Sequence, residues 1–199
     1  LELTHNHDGR DYELGNQFGH IALTTHDLGA VRSEVIAKGW WYRESKPQSS
    51  SRYIFVHDPD GYDVEILQAK SRETVSVEHA NITVKNIERS VKFFQTAFPD
   101  WQVRDQGEGN RKWLHLGGAT DYMALEEARV DQPLDRGEYM RPDINHVGFA
   151  VSDLAAVKGR LLAAAYTEGV TVEPAEDRLR AYFFDEDGFE WEFIEYLLK

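Results

Sequence analysis

Two histidine and glutamate pairs recur along the chain at nearly the same separation. His20, in Gly19-His20-Ile21-Ala22-Leu23, is followed 45 residues later by Glu65, which closes Asp58-Pro59-Asp60-Gly61-Tyr62-Asp63-Val64-Glu65. His146, in His146-Val147-Gly148-Phe149-Ala150, is followed 46 residues later by Glu192, just after Asp185-Glu186-Asp187-Gly188. A repeat of this length marks a supersecondary unit used more than once. Neutral imidazole and carboxylate are both ligands for divalent cations, so the repeated chemistry is that of metal binding. The acidic turn reads differently: Asp-x-Asp-Gly before an aromatic strand is a hairpin turn in which glycine supplies positive φ. A single histidine at a strand start is usually a core or edge residue. The recurrence with glutamate is what favours a ligand.

These residues must be positioned by elements that recur in one order. Phe18 to Thr24 alternates like a strand, and Leu28, Val31, Val35 and Ile36 form a helical stripe ending near Gly39. Trp40 to Arg43, Ser51 to His57 and Tyr62 to Gln68 then read as three short strands, giving βαβββ. The second copy is Glu78 to Val84, the helix Ile87 to Ala97, and the strands Trp101 to Arg104, Lys112 to Leu116 and Tyr122 to Glu126. The third is Asn145 to Val151, the helix Leu154 to Ala164, and the strands Val170 to Val172, Arg178 to Asp185 and Phe189 to Tyr196. The stripe of Val91, Phe94 and Ala97 is core packing. The polar stretches Ala69 to Ser76 and Arg129 to Arg141 read as linkers.

The fold class is therefore α+β, built from repeated βαβββ units. One such unit leaves a sheet face open, so two must pair to close a cavity between curved sheets. Residues 1–70 are expected to hold the last strand of a missing unit plus one complete unit. Residues 76–199 are expected to form a two-unit domain, with units at about 76–128 and 142–199. Leu1 begins directly in what reads as a strand end, which implies an upstream segment. A unit without a partner leaves strand edges exposed, which predicts a homodimer or higher assembly.

Composition removes several function classes. A net charge of −13, with no Lys/Arg-rich run, argues against a nucleic-acid or membrane-surface partner. With 41% hydrophobic and 12% aromatic residues among 199, the chain has enough apolar surface for real cores. The absence of cysteine excludes disulfides and thiolate sites and fits a reducing, cytoplasmic setting.

The segments Leu1-Glu2-Leu3-Thr4-His5-Asn6-His7, Tyr12-Glu13-Leu14-Gly15-Asn16, Gly19-His20-Ile21-Ala22-Leu23 and Phe55-Val56-His57-Asp58-Pro59-Asp60-Gly61-Tyr62-Asp63-Val64-Glu65 resemble the later half of bacterial glyoxalase I across residues 1–68. Residues 77–199 resemble, more distantly, a two-unit domain of the vicinal oxygen chelate superfamily, which includes glyoxalase I, extradiol dioxygenases and bleomycin-resistance proteins. The resemblance implies that Glu2, His20 and Glu65 are metal ligands in an incomplete first site. It also places His79, His146, Glu192 and one of Glu126 and Glu127 as ligands of a complete second site. Strand alternation lets only one of that glutamate pair face the cavity, and Glu126 is favoured because it shares a face with Tyr122 and Ala124.

The chemistry implied by the resemblance is that of a divalent cation (nickel, zinc or cobalt) acting as Lewis acid on two adjacent substrate oxygens. Glu192 or Glu126 would move a proton between neighbouring carbons. The implied substrate is the hemithioacetal of glutathione and methylglyoxal, and the product S-lactoylglutathione. An extradiol dioxygenase is the rival enzyme, with ferrous iron held by His79, His146 and Glu192 alone. A non-catalytic antibiotic or aromatic-ligand binder is the other alternative, if Trp101, Trp113, Tyr182 and Trp191 line the cavity. Arg104, Lys112, Arg178 and Arg180 are candidates for attracting an anionic substrate, set against an ordinary solvated strand face. The cluster around His5 and His7 reads first as a solvated loop. Lys46 to Arg52 departs from the glycine-rich loop usual in glyoxalase I.

Overall fold

The structure, a computed structural model, describes residues 7, 15–47, 51–71, 73–134, 146–171, 173 and 175–197. The βαβββ order is present three times. The first unit is β1 (Phe18–Thr25), α1 (Leu28–Ala37), β2 (Tyr42–Glu44), β3 (Tyr53–His57) and β4 (Asp63–Gln68). The second is β5 (Ser76–Val84), α2 (Ile87–Ala97), β6 (Gln102–Glu108), β7 (Lys112–Gly117) and β8 (Tyr122–Glu127). The third is β9 (Val147–Ala150), α3 (Leu154–Ala163), β10 (Thr167–Glu168), β11 (Arg178–Phe184) and β12 (Glu190–Tyr196). The predicted strand at Val170 to Val172 is displaced. Ala165 turns the chain with a φ of 63°, so a two-residue strand forms at once on the far side of α3. Val170 is left exposed, and Val172 lies outside the described residues.

Each helix starts where a side chain replaces a missing intrahelical acceptor. Asp27, Asn86 and Asp153 accept from the backbone N–H three residues on, at 2.9, 2.9 and 2.8 Å. Such caps contribute about 1 kcal/mol apiece. The last strand of the same unit adds a second acceptor. Leu28 N–H donates to Gln68 at 3.2 Å, Ile87 N–H to Glu127 at 3.1 Å and Leu154 N–H to Glu195 at 2.8 Å. The helix of every unit is thereby fixed to its final strand. The acidic turns are structural: Asp58 Oδ1 accepts from the N–H groups of Asp60 and Tyr62, and Asp185 Oδ1 from that of Phe189. Gly61 and Gly188 hold φ of 91° and 79°, the left-handed region that such turns require.

Within a unit the first strand runs parallel to the fourth, and the remaining strands follow antiparallel. The first two units join edge to edge into one eight-stranded sheet, ordered β2-β3-β4-β1-β5-β8-β7-β6. The seam is the antiparallel pair β1 and β5, with Ala22 opposite His79 and His20 opposite Asn81. The third unit has its own sheet, ordered β10-β11-β12-β9. Its link to the second unit is a shared apolar core instead of a continued sheet. Phe93 and Phe94 of α2, fully buried, meet Trp191 at centroid distances of 6.1 and 4.7 Å. Leu154, Val157 and Leu161 of α3 complete this core with Leu114, Leu116, Met123 and Leu125. The first unit has a smaller core of Val35, Ile54 and Val56 under α1.

This arrangement corrects one pairing. The sequence reading joins the second and third units across a cavity, but the strand edge of β5 is taken by β1, and the third unit packs on the helical side. Consecutive units with a short connection pair most readily. The connection from β4 to β5 is much shorter than that from β8 to β9.

Candidate metal centre

The β1 and β5 seam sets the first strands of two units side by side, so residues alternating onto the face away from the helices converge there. His20 comes from β1, Glu65 from β4 and His79 from β5. The Nε2 atoms of His20 and His79 lie 3.1 Å apart, and Glu65 Oε2 lies 3.1 Å from the first and 3.3 Å from the second. This is the one group of three or more potential ligands found among the described residues. His79 and Glu65 are only 5% and 7% exposed.

The triangle fits a metal ion. Ligand bonds of about 2.1 Å at right angles put cis ligands about 3.0 Å apart, close to all three observed separations. The donor chemistry agrees: two imidazoles and one carboxylate suit a borderline divalent cation. His79 Nδ1 lies 3.3 Å from Glu78 Oε2, the outer carboxylate contact that orients a ligating imidazole.

The electrostatics follow from burial against pairing. Burial alone would push the Glu65 carboxyl up, but hydrogen bonds from His20 and His79 and their charge outweigh it, holding it at about 2 instead of 4.5. Burial would lower His79, yet Glu65 and Glu78 raise it above its ordinary value. His115 is lowered, by burial first and by His79 second. Glu65 is thus ionised at any ordinary pH, which keeps the donor set ready for a cation.

The remaining predicted ligands fall elsewhere. His146 and Glu192 meet, with His146 Nε2 3.1 Å from Glu192 Oε2, and Tyr182 donates its hydroxyl to Glu192 Oε1 at 2.6 Å. Burial would raise Glu192, but His146 and Tyr182 lower it, while burial and Glu192 push Tyr182 up to about 12. His79 does not join them, because it faces the seam of the other sheet. Of the expected cluster of His79, Glu126, His146 and Glu192, the structure brings His79 together with His20 and Glu65, while His146 and Glu192 form a separate pair. Glu126 Oε2 lies 3.0 Å from Arg111 and its side chain is 37% exposed, while Glu127 is committed to the start of α2. Glu2 and His5 lie outside the described residues, and His7 is exposed.

Of the aromatic candidates, Trp101 and Trp191 belong to the core. Trp113 packs over Gly107, where a Cβ would come within 2.8 Å of the indole. Tyr182 stands beside Glu192. Among the cations, Lys112 lies 3.7 and 3.9 Å from Glu88 and Glu127, and Arg178 lies 2.9 Å from Asp177. Arg104 lies over the Tyr122 ring at 4.6 Å, and that ring stacks on His79 at 4.5 Å. Sequence reasoning did not find Glu78, His115 and Tyr122. The signal available was the step of 59 residues from His20 to His79, which relates the first unit to the second.

Repeated βαβββ units, with ligands meeting where two first strands pair, define the class. The family profile described as Glyoxalase/Bleomycin resistance protein/Dioxygenase superfamily matches residues 1–66 and 76–193, and the chain belongs to that superfamily. A probable lactoylglutathione lyase of Synechocystis sp. is 41% identical over 76 residues, 37% of this chain and 58% of that one. A lactoylglutathione lyase of Neisseria meningitidis is 43% identical over 74 residues, 36% and 54% of the two chains. The matches thus span little more than half the length of these curated relatives. The crystal structure of glyoxalase I from Zea mays superposes with a TM-score of 0.72 at 20% identity, over 96% of this chain and 71% of that one, which shows the shared fold. No described helix is long and apolar enough to cross a membrane.

Proposed function

We propose that the chain is a metal-dependent lyase of the glyoxalase I kind, working at His20, Glu65 and His79. The observation that carries this reading is the 3.1 to 3.3 Å triangle of ligand atoms at the β1 and β5 seam. The named activity of the relatives in Synechocystis and Neisseria supports it. A bound divalent cation would supply Lewis acidity toward two adjacent oxygens of a small substrate. The chain's own part is to hold the imidazoles in one orientation through Glu78 and Glu65 and to keep Glu65 ionised. The proposed substrate is the glutathione and methylglyoxal hemithioacetal. The proton on the carbon bearing sulfur moves to the neighbouring carbon while the hydroxyl proton passes from the first oxygen to the second, giving S-lactoylglutathione with no change in atom count. This reading gives that transfer to Glu65, whose carboxylate lies against both imidazoles.

The composition of the centre favours one second reading. Two histidines and one carboxylate are the donors of ferrous dioxygenase sites, so catechol cleavage is the alternative. Metal analysis with two turnover assays separates the two. Nickel, zinc or cobalt with loss of hemithioacetal absorbance supports the first reading; iron with ring cleavage supports the second. Absence of metal binding together with absence of both activities defeats both. The β9 edge, paired on one side only among the described residues of its sheet, also supports the proposed homodimer or higher assembly. Light scattering of the purified chain tests that, and a monomer refutes it.

A further inference from the structure

One row of cross-strand neighbours in the eight-stranded sheet runs from the first unit into the second. Arg43 stands opposite Phe55, Phe55 opposite Glu65, Glu65 opposite Ala22, Ala22 opposite His79 and His79 opposite Tyr122. Residues directly opposite each other share a face, so this row sets Arg43 on the face that holds the metal ligands. Arg104 reaches the same face from the far end. The register of β6 shifts between Val103 and Asp105, which makes Arg104 the extra residue of a bulge, and its guanidinium lies over the Tyr122 ring at 4.6 Å. The Arg43 guanidinium lies over the Phe55 ring at 4.4 Å. Phe55 in turn meets His20 edge to face at a centroid distance of 5.1 Å, as Tyr122 stacks on His79 at 4.5 Å. The sequence imidazole, ring, guanidinium therefore repeats outward on both sides of the centre. Both arginines belong to the second strand of their unit, and β2 and β6 are the two outermost strands of the sheet.

We propose, resting on the metal centre above, that Arg43 and Arg104 are two anion-binding arms beside that centre, selecting a substrate that chelates the ion at its middle and carries a carboxylate toward either end. A guanidinium laid over a ring uses its face for that contact and keeps its N–H edge, which matches a carboxylate through two parallel hydrogen bonds. The ring beneath restricts the side chain, so less freedom is lost when the anion arrives. The neighbouring cations are engaged differently: Arg111 lies 3.0 Å from Glu126, and Lys112 lies against Glu88 and Glu127. Asp105, the acid beside Arg104, accepts from the Gln106 N–H at 2.9 Å. Arg43 and Arg104 are both exposed, so an anion reaches them without burial of an unpaired charge. The arms stand one ring removed from the ligand imidazoles and on opposite sides, which favours an extended molecule over a compact one. The glutathione adduct proposed above has that form, with a carboxylate at each end and the reacting oxygens between.

The test uses the whole chain and two probes, S-hexylglutathione and its diethyl ester, in which both carboxylates are blocked, titrated by calorimetry with and without Mn(II). The wild type is expected to bind the acid about a hundredfold more tightly than the ester. Arg43→Gln and Arg104→Gln should each weaken binding of the acid by about tenfold and leave the ester unchanged. Arg43→Lys and Arg104→Lys should recover part of that loss, because lysine keeps the charge without the planar fork. Equal wild-type affinity for acid and ester, acid binding unchanged in either glutamine variant, or an equal loss of the ester overturns the arms, while Mn(II) uptake by the wild type leaves the metal centre standing. A wild type that takes up no Mn(II) but still separates acid from ester through these two arginines removes the metal centre and keeps the arms.

Discussion

Replacing Glu65 by glutamine isolates the electrostatics of the centre in the metal-free protein. Glutamine keeps the shape and removes the charge, so it imitates the protonated acid. The folded-state value of about 2 lies below the ordinary 4.5, so ionised Glu65 contributes stability that is fully present above pH 4.5 and is lost as pH falls through about 2. At about 1.4 kcal/mol per tenfold, the contribution at pH 7 is about 3 kcal/mol. At pH 3 about half of it remains, because the folded carboxyl is still mostly ionised while the unfolded one is mostly neutral. Urea unfolding with chelator present, followed by circular dichroism, should therefore show Glu65→Gln less stable by about 3 kcal/mol at pH 7, with the gap roughly halved at pH 3. Equal midpoints at pH 7, or a gap that does not change with pH, would refute the account of His20 and His79 as the partners holding this charge.

Phe93→Ala removes a fully buried ring between α2 and the third unit and should cost about 3–5 kcal/mol in urea unfolding; a loss near zero would show that the two units are not joined by this core. Tyr182→Phe deletes the 2.6 Å hydroxyl donation to Glu192, and the carboxyl should then titrate closer to its ordinary value in a carbon-detected NMR pH series. Added zinc should raise the melting temperature of the wild type and leave Glu65→Gln unmoved. Because His79 is held above its ordinary value, protons should begin to compete with zinc on the alkaline side of about pH 6.5, and calorimetry at stepped pH reads that loss.

The repeat, its element order and the turn at Asp58 are legible in the sequence because each depends on neighbours along the chain. Alternation, a capping side chain and a glycine at positive φ are local signals, and the units carry them in the same order. The histidine and glutamate pairs are legible for the same reason, since His20, Glu65, His146 and Glu192 stand at fixed places within their units. Which ligands meet is a different kind of fact. It depends on which first-strand edge finds which, and β1, β5 and β9 read alike along the chain. Taking β9 as the partner of β5 places His79 with His146; pairing through β1 places it with His20.

The choice of Glu126 over Glu127, which rests on strand alternation, leaves the row within the strand open for a related reason. A spacing of 47 residues from His79 looks close to 45 and 46, yet strand alternation makes a difference of two a change of row on the same face, which no face pattern can detect. Glu127 supplies the missing ruler. Its hydrogen bond to the start of α2 has counterparts in Gln68 and Glu195, and counting back from that contact in each unit gives Glu65, Ala124 and Glu192. A helix-capping contact thus fixes the ligand row more firmly than the identity of the nearest acidic side chain, because the cap ties strand to helix in a geometry shared by all three units.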